Sequence, residues 1–457
     1  MLKRIITEKL NERQKMRKLT LFVLLLIVYS NLQILSQEKG DNLRVYTLEE
    51  CLKIADKNNP EIRQILTRMG PASADVTNAF GEFLPSLGVN ASYRRTFRSS
   101  TIGRYNDSLA PNFYNLDAGF QYTLFNGFGR ENNYNRAKEN FNSLVQSIQF
   151  TRKKVALDIY RAFVQSVLNK QILKIRQENF SLGQKELEKV KARYEAGLSS
   201  INFVYSQEAD LGNRELDIVK AQNDLKVAQA NLLIYMGLTP ESEVDISVES
   251  LPSELKPNEI EQFRKEISDY ETSLKQALSK RLDYSSNKSL LKSAEYQLNS
   301  AGSTYWPSLT ASGGWSWSNY FIEDFSKLGY SYIGLNLSIP VFENFKTNLS
   351  VENSKMQLIS KQIDLFNIEQ NIKQTLKTSI LNLNAAEKQL EITERSLKSA
   401  EKNYEYANER FRSGASSVSD YFIANNLLVT TQINRITAVY SYFISKKEVL
   451  FALGQLD

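Results

Sequence analysis

Histidine is absent from the 457 residues, and Cys51 is the only cysteine. Those two absences together remove His-dependent triads, His/Cys zinc sites and disulfide frameworks. No cofactor or metal is expected. Proline and glycine are scarce as well, at nine and nineteen. No proline falls within 112–239 or after Pro340, which predicts long unbroken helices and argues against a loop-rich enzyme. Long apolar runs are missing except for "LTLFVLLLIVY" at 19–29, which is too short for a stable anchor. Behind the basic flank Arg17-Lys18 it reads as the core of an export signal over 1–36, cut near Ser36 or Gln37. Translation could start at Met1 or Met16, since the segment from Met16 is a complete signal by itself. Cys51 lies well past that run, inside a helical pattern, so a lipidated cysteine is not expected. A charge excess is also missing from the remainder. Residues 1–36 carry seven Lys or Arg and two Glu, leaving 50 basic and 49 acidic residues behind them. The net charge of +6 therefore belongs to the signal and gives no support to nucleic-acid binding.

What is present is repetition. The length exceeds what one compact core fills, so several domains or an elongated form are expected. "AGLSS" (196–200) returns as "SGASS" (413–417), 217 residues later. Phe125 and Phe128 return as Phe342 and Phe345, and Gly237 as Gly454, at the same offset. "LPSL" (84–87) returns as "WPSL" (306–309) at an offset of 222. The five-residue difference falls where a hairpin loop absorbs it. The predicted organisation is a first repeat over 37–240, a linker over 241–269 and a second repeat over 270–457.

Each repeat opens with short helical segments, 47–66 in one and 270–298 in the other. Two alternating stretches follow in each, a hairpin at about 87–125 and another at about 309–342. Leu116, Ala118, Phe120, Tyr122 and Leu124 share one face; Asn115, Asp117, Gly119, Gln121 and Thr123 share the other. Alternation over about ten residues with aromatics near the ends marks a transmembrane strand. One such stretch alone would fit a soluble sandwich, but four in a secreted chain favour the membrane. Trp315, Trp317, Tyr320, Tyr330 and Tyr332 read as an interfacial girdle. Pro85, Pro307 and Pro340 read as structural punctuation, with Pro340 near the end of the fourth strand. Long helix pairs are predicted after the hairpins, at 130–236 and 345–453, turning at Gly197 and Gly414 as C-caps. A helix of about 65 residues is roughly 100 Å long, and its mixed apolar and charged stripe suits packing beside other helices. Their charge patterning alone would equally fit a soluble coiled coil. Four strands cannot close a barrel, and an open edge is not tolerated in lipid, so several copies must join.

The ordered set "LEECLKIADKNNPEI" (48–62), "FLPSL" (83–87), "YTLFNGFGR" (122–130), "ARYEAGLSS" (192–200), "WPSL" (306–309), "LSIPVFENF" (337–345), "ERFRSGASSVSDYF" (409–422) and "ALG" (452–454) resembles the TolC-like outer-membrane efflux proteins of Gram-negative bacteria. The resemblance implies a mixed α/β membrane protein. Four strands from each of three copies would make a twelve-stranded outer-membrane β-barrel, continuous with a long α-helical periplasmic barrel. It implies a homotrimer in outer-membrane lipid, working with a periplasmic adaptor (membrane fusion protein) and an inner-membrane transporter of RND or ABC type. The implied role is an exit duct for efflux or type I secretion, with no bond chemistry.

Asp420 stands where the family places a gate aspartate, and three copies would form a carboxylate ring. Its plainer reading is an acid favourable to a helix N-terminus. Ile423 stands where a second acid often occurs, and Phe203 occupies the equivalent place in the first repeat, implying a more apolar constriction. The tips Arg193, Gly197 and Leu198, and Arg410, Gly414 and Ala415, are the implied adaptor-docking sites. Either arginine would pair with the adaptor or cap helix carbonyls. Phe125, Gly127, Phe128, Pro340, Phe342 and Phe345 mark the strand-to-helix corners. Gly127 and Gly129 would supply freedom at the first corner, and Pro340 would fix the approach to the second. The competing readings are a periplasmic coiled-coil scaffold or adaptor with a soluble β-domain, and an enzyme, which the missing histidines disfavour.

Overall fold

The computed structural model describes residues 44–97, 112–252, 255, 257–267, 269–325 and 327–456. The expected signal and its cleavage site lie outside these residues, as does the segment 98–111 within the first hairpin. Two units divide the chain, and one of them contributes only Arg44, Val45 and Glu243–Asp245 to the described residues. The short strands β1 (Arg44–Tyr46) and β4 (Val244–Ile246) form a two-stranded sheet. Everything below concerns the other unit, Tyr46–Ser242 with Ile246–Asp457.

The predicted helix over 47–66 is two helices, α1 (Leu48–Asn58) and α2 (Pro60–Leu66). Thr47 and Glu50 close a reciprocal capping box on α1. Asn59 separates the pair: its Oδ1 accepts from the amides of Glu61 and Ile62 at 2.9 and 3.2 Å, with Pro60 as first helical residue. A further helix, α3 (Met69–Gly81), was not expected. After strands β2 (Ser86–Arg95) and β3 (Asn112–Asn126) come the 67-residue α4 (Gly129–Glu195) and its return helix α5 (Ile201–Met236). The linker carries α6 (Pro257–Glu266). The second predicted helical segment also breaks in two, α7 (Tyr270–Lys280) and α8 (Leu282–Gly302). Strands β5 (Ser308–Asn319) and β6 (Tyr330–Ser338) lead to the 67-residue α9 (Lys346–Arg412) and its return helix α10 (Val418–Ala452).

The four long strands make one antiparallel sheet in the order β2-β3-β5-β6. Pairs such as Val89 with Ala118, Leu116 with Trp317, and Ala311 with Leu335 keep one face mostly apolar. A bulge between Thr123 and Phe125 bends β3 just before its helix. Pro340 lies beyond the ladder, not within the fourth strand: pairing stops at Ser308 with Ser338, before the residue that cannot donate. The proposed girdle also needs correction. Trp317 is buried beneath Phe325, at 5.0 Å between ring centres, and donates Nε1–H to the Asp324 carbonyl at 3.1 Å. The turn Ile322–Asp324 folds back over it, whereas Tyr320, Tyr330 and Tyr332 remain exposed.

Helices pack through small residues where they approach closely. Ser286 of α8 meets Ser143 and Ser147 of α4, hydroxyl to hydroxyl at 2.8 Å. A hydrophobic core gathers Leu376, Leu383, Val439, Tyr442 and Val449 between α9 and α10. Cys51 is fully buried on α1, and its thiol pKa is pushed up to about 12 by burial and then by the Glu50 charge. The folded thiol therefore stays protonated at neutral pH, and the stability linked to it is lost only as pH rises from about 9 towards 12. A maleimide probe at pH 7 is expected to leave the folded protein unlabelled and to label it once on unfolding in guanidinium. Rapid labelling of the folded protein would contradict the burial.

Candidate functional site

Three places carry the residues singled out by sequence: the two strand-to-helix corners and the helix tips. At the first corner Gly127 (φ 66°) and Phe128 (φ 64°) are both left-handed, and α4 starts at Gly129. Phe128 meets Phe125 edge to face at 5.5 Å and 87°. At the second, Asn344 (φ 51°) and Phe345 (φ 63°) take the same conformation, and Phe345 meets Phe342 at 5.6 Å and 88°. Left-handed phenylalanine is strained, and in each corner a ring contact worth about 1 kcal/mol offsets part of that cost. The freedom expected of Gly127 and Gly129 is therefore corrected for Gly129. Gly129 is not left-handed, and the second corner turns at Asn344 and Phe345, asparagine being, with aspartate, a non-glycine type that tolerates this region.

Sequence reading missed Arg130. Its guanidinium donates to the carbonyls of Thr123 and Leu124, the latter at 3.1 Å, and lies 5.1 Å above the Phe83 ring. It thus satisfies carbonyls freed by the bulge and ties strand to helix. Beside it opens a cavity of about 550 Å³ lined by Glu82, Gln121, Thr123 and Asn126. The second corner has Thr347 at the equivalent position, hydrogen-bonded to Glu343.

The tips are built by the same rule. Gly197 and Gly414 are left-handed (both φ 74°) and close Schellman motifs. Leu198 N–H donates to the Arg193 carbonyl at 2.8 Å, and Ala415 N–H to the Arg410 carbonyl at 2.8 Å. The Arg410 side chain caps its own turn, donating to the Ala415 carbonyl at 3.2 Å. Arg193 is exposed, and Leu198 projects with 73% of its surface free. Asp420 is the acid of a capping box: Ser417 N–H donates to its Oδ2 and its own N–H donates to Ser417 Oγ, both at 3.2 Å. Ile423 and Phe203 are both exposed.

Next to Asp420, Tyr421 is fully buried, stacked on Phe411 at 5.2 Å with its hydroxyl 3.5 Å from that of Tyr404. This holds α9 to α10 behind the turn, and burial pushes the Tyr421 phenol well above its ordinary range. Deeper lies a polar junction that no sequence pattern announced. Arg214 on α5 pairs with Asp210 at 2.6 Å and donates to the Asn179 carbonyl on α4 at 2.8 Å. Asn425 on α10 donates to Asn179 Oδ1 at 3.0 Å. Gly183 leaves room for Arg214, since a Cβ there would sit 3.1 Å from its Cδ. One junction thus joins both helix pairs.

No helix among the described residues is long and apolar enough to cross a membrane. The sequence model of a family described as "Outer membrane efflux protein" matches residues 51–238 and 273–455. The chain is 23% identical over 416 residues to the outer membrane protein TolC of Salmonella enteritidis, covering 90% of this chain and 82% of that one. Its fold is similar to that of the outer membrane protein VceC from Vibrio cholerae, with TM-score 0.74 at 16% identity over 89% of this chain and 96% of that one. It is likewise similar to the Campylobacter jejuni CmeC outer membrane channel, with TM-score 0.74 at 17% identity over 92% and 90% of the two chains.

Proposed function

The chain belongs to the outer membrane efflux protein family, and from that premise we propose that it is the exit duct of a tripartite efflux pump or type I secretion system. It is a TolC-like outer-membrane efflux channel with a helical periplasmic portion. Three copies would bring their four-stranded sheets into one twelve-stranded barrel and their helices into one tunnel. A periplasmic adaptor would seat on the tips, and an inner-membrane transporter of RND or ABC type would load the duct. The observation that carries this reading is the corner: β3 passes within three residues into a 67-residue helix whose composition forbids entry into lipid. The sheet thus has the membrane face and the helices the aqueous one. Exposed apolar side chains along α9, among them Leu349, Met356, Ile363 and Phe366, favour packing against further copies. The matching corners, tips and hairpin registers also support the internal two-fold repeat. An N-terminal signal over 1–36 fits export to this place.

In planar bilayers the purified full chain is expected to conduct as a trimer. A water-soluble, non-conducting mature protein would instead favour the scaffold reading. For the gate, Asp420→Ala is expected to lower cation conductance and weaken cation preference, because it removes three carboxylates that would concentrate cations at the mouth. Asp420→Asn keeps a side-chain oxygen for the Ser417 amide, so it separates charge from capping. If both variants conduct and select like the parent, Asp420 serves its helix alone.

A further inference from the structure

The loop between β5 and β6 leaves the sheet on one side only. Directly paired residues on neighbouring strands share a face, so the register sorts every strand side chain. Leu116 with Trp317, Ala118 with Trp315 and Ala311 with Leu335 lie on the apolar face. Ser316 with Tyr330 and Gly314 with Tyr332 lie on the polar face, beside Asp117 and Gly119. Tyr330 and Tyr332, expected in a girdle, thus belong to the lumen side of the proposed duct. Tyr320 joins them there, meeting Phe113 of the same face at 5.4 Å.

The loop goes the other way. Phe325 packs edge to face on both Trp315 and Trp317, at 5.8 and 5.0 Å. Trp317 donates to the Asp324 carbonyl, and Asn319, on the same face, donates to Asp324 Oδ2 at 3.5 Å. Gly329 passes so near the Trp315 ring that a Cβ there would sit 2.5 Å from it. Held in this way against the apolar face, Phe321, Ile322, Phe325 and Leu328 all stay exposed. A contiguous apolar patch of this kind marks a contact surface. Its height fits as well. The 12 residues of β5, at about 3.3 Å each and a tilt of about 40°, climb about 30 Å, enough to cross the apolar band of a membrane barrel. Because β6 runs on towards α9 at the aqueous end, the loop stands at the opposite boundary.

We propose that the β5–β6 loop is a foot seated in the outer leaflet, with Phe321, Ile322, Phe325 and Leu328 among the acyl chains below the head groups. It does not cover the lumen, since a cover would lie over the face of Tyr330 and Tyr332. Its charges suit the boundary: Lys327 pairs with Asp324 at 3.3 Å while its side chain stays 74% exposed at head-group level. This inference rests on the proposed membrane face of the sheet and adds the segment that anchors its outer rim.

The full chain in phosphatidylcholine vesicles, with an NBD fluorophore on an introduced cysteine, tests it. Cys51 is buried and stays unlabelled. Ile322→Cys carries the probe, Leu328→Cys is a second position in case the first variant folds poorly, and Leu335→Cys on the apolar face of β6 is the control. Lipid bearing a nitroxide near its head group is expected to quench both loop positions about twofold or more, and aqueous iodide to quench them little. Loop positions open to iodide and untouched by the lipid nitroxide, with Leu335→Cys still quenched by it, overturn the foot and leave the membrane face intact. Loop positions shielded from both quenchers mean that protein covers them, which also overturns the foot. If Leu335→Cys escapes lipid quenching as well, the membrane face itself falls.

Discussion

Gly127→Ala is expected to deplete the folded protein from outer membranes, whereas Asn344→Gly is expected to leave its amount unchanged. The two residues hold equivalent left-handed positions, with φ 66° and 51°. At Gly127 an added Cβ would lie 2.5 Å from the Ser303 carbonyl oxygen and 2.7 Å from Trp306 Cβ. The first of these is backbone and cannot swing aside. The left-handed conformation costs a non-glycine residue roughly 1–2 kcal/mol, and overpacking typically adds about 1–3 kcal/mol. Together they come to about 2–5 kcal/mol, a large share of a domain stability at the lower end of the usual range of about 5–15 kcal/mol. Glycine at 344 meets no such conformational cost, so its effect is expected to stay within about 1 kcal/mol. Membrane fractionation with the thermal midpoint from circular dichroism reads both. A Gly127→Ala variant that fractionates and melts like the parent would mean that the corner yields to the added Cβ and that the contact with Ser303 and Trp306 does not constrain it.

Arg214→Ala should lower the stability of the helical portion more than any surface change. Arg214 retains 4% exposure of its side chain and its partner Asp210 retains 12%. Removing one member of a buried pair leaves an uncompensated charge, at a cost of about 3–5 kcal/mol. Asn179 would also lose a donor while still bonded to Asn425, loosening the link between the two helix pairs. Arg214→Lys keeps the charge but not the planar fork that reaches both Asp210 and Asn179, so partial rescue is expected. Arg214→Met combined with Asp210→Leu removes both charges and should recover most of the midpoint. If that double variant is as unstable as Arg214→Ala, packing at the junction matters and the ion pair does not.

Much of the architecture could be read directly from local patterns. The four strands, the two helix pairs and the tips at Gly197 and Gly414 all fall within a few residues of where alternation, proline-free length and turn glycines put them. These features depend on residues adjacent in sequence, so a single pass along the chain detects them. Boundaries were harder. The break at Asn59 needs its side chain to cap α2 and to donate to the Tyr235 carbonyl at 2.7 Å, a partner 176 residues away. Asp420 was legible as an acid beside a turn. Its hydrogen bonds to Ser417 are local enough to have been foreseen, since Ser417 and Asp420 have capping-box spacing.

By itself the sequence determined the periodicities, the turn chemistry and the paired offsets of 217 and 222, because each rests on short-range geometry that every strand and helix must obey. Tertiary structure decided what those patterns could not contain. It buried Trp317 under Phe325, set Arg130 against the bulge carbonyls and put Asn344 in the left-handed turn. It also brought Asn179, Arg214 and Asn425 to one point across 246 residues of chain. Such contacts depend on how far one helix or strand slides along another, and that is set by the packing of whole faces.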